Sequence, residues 1–478
     1  METHSRYRAA LERALVHSLT HLDSLAGTSV AATATLEELR VRLAHLLTDD
    51  GIEASDVLDD LVADMAGGIL GSAGGRFFGW VIGGAVPAAL AADWLTAAWD
   101  QNAASYACAP AETVIEEVTG AWLKELLGLP PTASVAFVSG SQMAHVTALA
   151  AARHALLAQQ GWDVEHYGLM GAPALRILSS KERHGSIERA VRLLGLGSDS
   201  VIDLPVDHQG CLQADPLSHA LQAVAQQPVI VVLQAGDLNI GAYDPFADLI
   251  PLAHAAGAWV HVDGAFGLWA AASPTYRHLL AGVAAADSWA TDGHKWLNVP
   301  YDSGYVFVAD QEAHRNAMTY TAPYTIRNAQ VREPADWNPE WSRRGRGVAT
   351  YAAIRHLGRR GIAELIERTC QYAHTLVMQI GALDGADILW EPQINQGLVR
   401  FRDSTPGATD LDHDRRTNHV ITAIQRTGEA FFSGATWRGR RCMRVSVCNW
   451  QTSERDIERA VAAVQMVLQA ASHETVLQ

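Results

Sequence analysis

One lysine of the sequence lies in surroundings that could make it a nucleophile. Lys295 stands between His294 and Trp296, and the apolar residues 284–286 precede this segment. Most lysines are solvated surface charges, but an imidazole and an indole restrict the access of water to this one. Partial burial favours the neutral amine, which can attack a carbonyl group and form a Schiff base. Lys295 is therefore a candidate for covalent catalysis.

A glycine turn before a helix could bind an anion. The apolar run at 135–138 leads into Gly140, Ser141 and Gln142, and an alanine-rich helical segment follows at about 144–159. The free N–H groups and the dipole at such a helix N-terminus favour an anion such as phosphate. No GxxxxGK[ST] or GxGxxG motif is present, so a nucleotide is not specified. A plain N-cap turn without a ligand would have the same sequence.

An aspartate and a histidine could bind the other parts of a flat, charged ligand. Asp263 follows the apolar run at 259–262, where a poorly solvated carboxylate needs a cationic partner such as a protonated ring nitrogen. A helix N-cap is the alternative role for this residue. His184 follows the run at 176–179 and could either cap the next helix or stack on a flat cofactor.

The elements that must position these residues alternate between short apolar runs and helical segments from about 134 to 308. Such a pattern predicts a mostly parallel sheet covered on both faces by helices. Ligands of these sheets bind at the carboxyl ends of the strands, where the candidate residues fall. The runs are 135–138, 177–178, 229–233, 259–262 and 305–308.

The flanking regions predict smaller parts. Within residues 5–65, leucines at helical spacing predict two slim helices, the second with a capping box of Thr35 and Glu38. We expect them to form a dimer interface or to pack on the next domain. Towards the C-terminus, apolar runs at 398–401 and 443–447 predict a short antiparallel sheet. The expected parts are a helical dimerisation segment (1–95), a large domain carrying the candidate site (96–335) and a small α+β domain (336–478).

Composition restricts the class of protein. The 478 residues, 49% hydrophobic and 18% charged, describe a globular protein with two or three domains. A net charge of −16 argues against nucleic acid and anionic membranes as partners. The five cysteines lack CxxC spacing, so no metal site is expected. Without a signal-like N-terminus, we expect a cytoplasmic protein.

An anion site, a carboxylate for a ring nitrogen, a stacking histidine and a lysine together describe a site for pyridoxal 5′-phosphate. Over about residues 70–470 the sequence resembles the group II pyridoxal-phosphate-dependent amino-acid decarboxylases, the family of aromatic-L-amino-acid and glutamate decarboxylases. The resemblance implies an α/β fold of the aspartate aminotransferase type (fold type I) and an obligate homodimer. The matching stretches are 109–112, 139–141, 184–190, 243–245, 261–265 and 294–297.

The resemblance also implies a role for each matching residue. Lys295 would bind the cofactor covalently, and Asp263 would pair with its ring nitrogen. His184 would stack on one face of the ring, and Ala265 would pack on the other. The residues expected at the phosphate are Gly140, Ser141, Gln142 and His294.

Three positions depart from the family pattern. Gln142 stands where Thr or Ser is frequent, which changes the donor at the phosphate turn. Asp237 and Leu238 replace a threonine pair that helps to hold the cofactor oxygen and the substrate, so Asp237 or Asn239 could act differently there. We include Asn239 among the expected cofactor contacts. Gly264 replaces an alanine beside the ring.

The expected reaction converts an L-amino acid into its amine and CO2. Phe77, Phe78 and Trp80 could line an apolar pocket for an aromatic or bulky apolar side chain, or could simply anchor a core. Arg76 keeps an acidic substrate open. The same cofactor could instead serve a C–C lyase or aldolase, or an aldehyde synthase. A non-catalytic scaffold protein is the alternative from another class.

The resemblance places a proton-donating tyrosine in a loop after the lysine, which we identify with Tyr324. An ordinary loop tyrosine is the alternative. We expect Tyr324→Phe to retain CO2 release while its product is diverted from the amine, for instance to an aldehyde by reaction with oxygen. Parallel assays of CO2, amine and aldehyde measure this partition. Amine formation at the wild-type rate would show that Tyr324 is not the donor.

Overall fold

A computed structural model describes residues 6–320 and 331–476, with side chains up to residue 470. It confirms the expected α/β class, with a seven-stranded sheet and a separate four-stranded sheet. No helix in these ranges is long and apolar enough to cross a membrane. The chain forms two compact units: the first is Met1–Ile82, Thr375–Glu391 and Leu398–Gln478, and the second is Gly83–His374 and Pro392–Gly397.

The seven-stranded sheet lies in the second unit. Its strands are β1 (Ser134–Val138), β2 (Arg176–Ser180), β3 (Val201–Leu204), β4 (Val229–Gln234), β5 (Trp259–Asp263), β6 (Ser288–Asp292) and β7 (Gly304–Val308). The order is β1-β7-β6-β5-β4-β2-β3. Strand β7 is antiparallel to both neighbours, whereas the other pairs are parallel. The mostly parallel sheet is therefore confirmed, although the sequence did not indicate β3 and β6.

Helices connect and cover the strands. They are α1 (Arg8–Ser24), α2 (Leu36–Leu43), α3 (Ala54–Asp64), α4 (Pro87–Trp99), α5 (Pro110–Leu126), α6 (Ser141–Gln159), α7 (Val164–Tyr167), α8 (Gly185–Leu193), α9 (Ala214–Ala223), α10 (Phe246–Ala255), α11 (Gln311–Met318), α12 (Gly347–Gly381), α13 (Asp410–Thr427) and α14 (Glu454–Val476). Short 3-10 turns lie at Ser198–Ser200, Gly267–Ala272, Arg277–Leu280, Val283–Ala285 and Pro334–Asp336. The expected capping box of Thr35 and Glu38 begins α2.

Helix α6 forms much of the core of the second unit. Ala144, Ala148 and Ala151 are fully buried in one apolar cluster with strand residues such as Ile177 and Val306. Because alanine carries only a methyl group, the helix backbone can approach the sheet closely. This packing fixes the N-terminus of α6 just beyond the carboxyl end of β1.

The first unit contains most of the smaller sheet. Its strands are β8 (Ala386–Trp390), β9 (Gln396–Phe401), β10 (Ser433–Trp437) and β11 (Arg440–Ser446), in the order β10-β11-β9-β8. The β10–β11 and β8–β9 pairs are antiparallel. Strands β9 and β11 correspond to the runs at 398–401 and 443–447, so the predicted antiparallel sheet is confirmed.

Arg76 is a buried cation of the first unit, with only 2% of its surface exposed. Its guanidinium ties three segments of the chain together, because buried charge needs partners. The N–H donors of Arg76 are thereby engaged inside the unit, and Nη1 also lies 3.7 Å from the carboxylate of Glu429. The backbone oxygens that accept its N–H groups belong to Leu25, Ala26, Thr28, Gly428 and Glu429.

Asp244 is a fully buried carboxylate beside the end of β4. It accepts N–H groups from Leu212 at 2.8 Å and from Gln234 at 2.7 Å. Burial raises the pKa of Asp244 to about 7, against the lowering effect of these two amides. The charges of Asp237 and Asp207 raise it further.

We expect Asp244→Asn to remove a pH-dependent loss of stability. The folded pKa of Asp244 lies above the ordinary aspartate value of 3.8, so the folded chain keeps a proton that the unfolded chain has released. The unfolding free energy therefore falls as pH rises from about 4 to about 7, by at most about 1.4 kcal/mol per pH unit. Urea unfolding at about pH 5 and pH 7, both within this window, measures the fall.

The exposed Asp248 on α10 offers a matched control, because Asp248→Asn removes a carboxylate that water already solvates. This variant should keep the wild-type pH dependence. An equal pH dependence in the wild type and in Asp244→Asn would contradict the assignment.

Candidate active site

The candidate residues meet at one edge of the seven-stranded sheet. Asp263 is the last residue of β5, and β6 ends at Asp292, three residues before Lys295. Helix α6 begins at Ser141, directly after β1. Strands β1, β5 and β6 point the same way, so their carboxyl ends share the edge where such sheets bind ligands.

Asp263 is an ionised carboxylate in a buried position. Burial raises its pKa, but the imidazoles of His145 and His184, the ammonium group of Lys295 and the N–H group of Ala265 leave the pKa lowered overall. The Ala265 amide lies 3.2 Å from Oδ1. The structure therefore brings Lys295, His184 and Asp263 together, as the sequence-based site requires.

Lys295 is paired with a second buried carboxylate. Its Nζ lies 3.1 Å from Oδ2 of Asp292, and the Nε2 of His294 lies 3.5 Å from the same oxygen. The other oxygen of Asp292 accepts the backbone N–H of Ser141 at 2.6 Å. The surroundings of the lysine are thus more polar than the sequence predicted, and one carboxylate joins it to the start of α6.

His294 is oriented by a backbone oxygen and an aromatic ring. Its Nδ1 lies 3.0 Å from the backbone oxygen of Ser303, and its ring stacks on Tyr301 with centroids 4.2 Å apart. Burial lowers the pKa of His294, against the raising effect of Asp292. A neutral imidazole, oriented by a backbone bond, is the result.

The N-termini of α6 and α8 are tied together. Gln142 donates from Nε2 to the backbone oxygen of Ser186 at 3.2 Å. His184 caps α8, because its Nδ1 accepts the Ser186 N–H at 3.1 Å. The helix-capping role of His184 is thus present in the structure, and its stacking on a flat cofactor stays a prediction. The hydroxyl of Ser141 is buried and has no hydrogen-bond partner among the described residues.

Asp237 stabilises a turn. Its carboxylate accepts the N–H groups of Asn239 at 3.1 Å, Ile240 at 2.8 Å and Ala242 at 3.3 Å, and only 1% of the residue is exposed. Burial raises its pKa against these amides. The backbone N–H of Asn239 is used in the same turn. The replacement of the usual threonine pair therefore has a structural explanation at Asp237, and the cofactor contact of Asn239 stays a prediction.

The turn after β5 explains another departure. A Cβ on Gly264 would lie 2.6 Å from the Cβ of Leu268, so the family's alanine does not fit here without a shift. The next residue, Ala265, accepts the N–H of Asp292 at 2.9 Å. The ends of β5 and β6 are thereby joined next to both buried carboxylates.

The three aromatic residues predicted for the substrate pocket lie in the first unit. Phe77 stacks on Phe431 with centroids 4.7 Å apart, and Phe78 stacks on Phe432 at 5.3 Å. Trp80 is 49% exposed and lies 5.5 Å from Phe431. Phe77 and Phe78 thus anchor a core, whereas Trp80 presents an aromatic surface. Their contact with substrate stays a prediction.

The sequence-based site missed Asp292 and His145. Asp292 ends a strand whose polar residues gave no strand signal. His145 follows Ser141 by one helical turn, a spacing that places both on one face of α6. Tyr324 lies outside the described residues, so its role stays a prediction. Within residues 6–320 and 331–470, no cluster of three or more His, Cys, Asp or Glu side chains could hold a metal ion.

This donor set fits pyridoxal phosphate. The buried Ser141 hydroxyl, at the N-terminus of a 19-residue helix, suits a phosphate group. The ionised carboxylate of Asp263 suits a protonated ring nitrogen. Lys295 supplies the amine for a covalent bond to an aldehyde.

Comparisons with known proteins agree with this fit. The chain matches the pyridoxal-dependent decarboxylase conserved domain over residues 39–403. It is 24% identical over 460 residues to an aromatic-L-amino-acid decarboxylase of Bacillus atrophaeus, covering 95% of this chain and 93% of the relative. It is 30% identical over 386 residues to an L-2,4-diaminobutyrate decarboxylase of Rhizobium meliloti, covering 80% and 75%.

A solved structure shows the same fold. The crystal structure of Oryza sativa TDC with PLP and tryptamine has a TM-score of 0.92 and 22% identity, and the match covers 98% of this chain and 99% of that one. The family match spans well over half of the sequence and includes the residues of the candidate site. The chain therefore belongs to the pyridoxal-dependent decarboxylase family and is a pyridoxal-phosphate-dependent carboxy-lyase of amino acids.

Proposed function

We propose that this enzyme decarboxylates an aromatic or bulky apolar L-amino acid to the amine and CO2. The observation that carries the proposal is the aromatic surface of Trp80 and Phe431. The neighbouring cation, Arg76, already donates its N–H groups to backbone oxygens. Arg76 is the only charged residue of segment 75–80, and it bonds backbone oxygens. A flat apolar surface favours an aromatic side chain over an acidic one.

The relatives give partial support for this substrate class. The aromatic-L-amino-acid decarboxylase matches nearly the whole chain, which favours an aromatic substrate. The diaminobutyrate decarboxylase is somewhat more similar over a shorter match and makes a basic amino acid the competing choice. Substrate choice therefore has to be tested with both classes.

We assign the groups of the site as follows. Bound pyridoxal phosphate supplies an electron sink for the electrons that remain when the carboxylate leaves as CO2. Lys295 anchors the cofactor, and Asp263 holds the proton on its ring nitrogen. Ser141 and the N-terminus of α6 bind the phosphate, while His184 lies against the ring. Tyr324 returns a proton to the α-carbon.

A close backbone contact positions Lys295. The N–H of Gly83 donates to the backbone oxygen of His294 at 3.4 Å, and the N–H of Val86 donates to that of Asn298 at 2.9 Å. A Cβ on Gly83 would lie only 1.9 Å from the backbone oxygen of Lys295. Glycine is therefore required at this contact.

We also propose that the enzyme is a homodimer. On α1, Leu11, Leu15 and Leu19 follow helical spacing and are 58%, 42% and 49% exposed. An apolar helix face that a single chain leaves in water suits a second copy of the chain. This supports the dimerisation role expected of residues 1–95.

An amino-acid panel tests the substrate class. We expect the holoenzyme to release CO2 and the matching amine from phenylalanine, tyrosine or tryptophan, and to act at least about tenfold less well on aspartate, glutamate and 2,4-diaminobutyrate. The measurement is kcat/KM with product identification. Preference for a charged substrate would overturn the class, and aldehyde products would favour the aldehyde synthase instead. Lys295→Ala should lose both turnover and the visible absorption of the cofactor.

Trp80→Ala tests the aromatic surface. Loss of one aromatic contact should raise KM for the aromatic substrate by roughly tenfold and change kcat less. Trp99 is a matched control because it is 50% exposed, close to the 49% of Trp80. Equal KM values for Trp80→Ala and Trp99→Ala would remove the support from this surface.

Gly83→Ala tests the position of the lysine. The added methyl group would push on the backbone oxygen of Lys295, and we expect roughly tenfold weaker cofactor affinity. Titration of the visible cofactor absorption measures it. Gly51→Ala is the control, because a Cβ there would meet no atom within 4 Å. Unchanged affinity in Gly83→Ala would contradict the constraint.

A further inference from the structure

A buried line of polar groups leads from Asp263 into the sheet. Its Oδ1 lies 3.6 Å from Nε2 of His145, and Nδ1 of His145 lies 2.9 Å from Nε2 of His261. Nδ1 of His261 lies 2.9 Å from the hydroxyl of Ser288. That hydroxyl accepts the indole N–H of Trp259 at 2.9 Å. Both histidines are fully buried, and Nε2 of His145 has no hydrogen-bond partner among the described residues.

Three elements build this line. Trp259, His261 and Asp263 alternate along β5, so their side chains share one face of the strand. Ser288 of β6 is the register partner of His261. His145 projects from α6, whose alanine face packs on the same sheet. The line is thus fixed by strand pairing and helix packing.

The proton positions along the line follow from the donors. Both rings are neutral: burial lowers the pKa of His261 to about 3, and burial also lowers the pKa of His145 against the raising effect of Asp263. A neutral imidazole has one N–H and one acceptor nitrogen. The indole of Trp259 can only donate, so the Ser288 hydroxyl accepts from it and can donate its own proton to His261.

One proton order then gives each group in the line a matching neighbour. Ser288 donates to Nδ1 of His261, and Nε2–H of His261 donates to Nδ1 of His145. The remaining proton of His145 lies on Nε2, which faces Asp263. The reverse order would point an imidazole lone pair at the carboxylate. At 3.6 Å the last contact is longer than a hydrogen bond, so the N–H acts on the carboxylate mainly through its dipole.

We infer that His145 is a positioning residue for Asp263, and that the line from Trp259 turns its Nε2–H toward the carboxylate and keeps Asp263 ionised. The inference rests on the proposed contact between Asp263 and the cofactor ring nitrogen. It assigns no chemical step to His145. The imidazole instead offsets the burial of a charge that the site requires.

The test compares two ligands of the apoprotein. One is pyridoxal phosphate, and the other is its analogue with C–H in place of the ring nitrogen. An ionised Asp263 favours the first, so the ratio of the two dissociation constants reports the carboxylate charge. We expect His145→Leu to reduce the wild-type preference roughly tenfold and Ser288→Ala to reduce it less. His145→Gln, whose amide can donate toward Asp263, should restore much of it.

His314 provides a matched control. It is also fully buried in the second unit, but it bonds Ser134 and the backbone oxygen of Trp337. His314→Leu should change the affinity for both ligands equally and leave the ratio of their dissociation constants unchanged. An unchanged ratio in Ser288→Ala and in every folded His145 variant would overturn the inference. A wild type without any preference would instead overturn the proposed contact of Asp263 with the ring nitrogen.

Discussion

The active site depends on a carboxylate that stays ionised although the protein surrounds it. Removing a charge from water costs several kcal/mol unless polar groups replace the solvent. At Asp263 these groups are the imidazoles of His145 and His184, the ammonium group of Lys295 and the amide of Ala265. They come from different elements, so the charge is maintained only when the strands and helices of the second unit are assembled around it.

Helix α6 connects this requirement to ordinary packing. Its buried alanines let the helix lie close to the sheet, and this closeness brings His145 next to Asp263 and Ser141 next to Asp292. A larger residue at Ala148 would move both contacts at once, because the two polar residues share one face of a rigid helix. The packing of α6 on the sheet therefore determines both the apolar core and the polar contacts of the site.

The sequence predicted the strands of the large sheet better than the contacts of individual side chains. Apolar runs identify β1, β4, β5 and β7, since strands buried on both faces are continuous in hydrophobicity. Strand β6 was not predicted because Ser288, Thr291 and Asp292 interrupt its apolar pattern, although all three are buried. The sequence also did not predict side-chain partners. The residue types do not show that Arg76 bonds backbone oxygens or that Asp237 closes a turn. The Arg76 bonds join segments far apart in the sequence, whereas Asp237 closes a local turn that its residue type alone did not distinguish from a cofactor contact.

The two buried carboxylates of the site, Asp263 and Asp292, have different neighbours. Asp292 faces the ammonium of Lys295 and the first amide of α6, whereas Asp263 faces neutral imidazole. With His145, His184 and His294 neutral, Asp263, Asp292 and Lys295 together carry one net negative charge. The negative charge of a phosphate at this site would need compensation by positive charge. The N-terminus of α6 supplies a fixed partial positive charge. The helix that packs the core thus also makes an anionic cofactor tolerable beside two carboxylates.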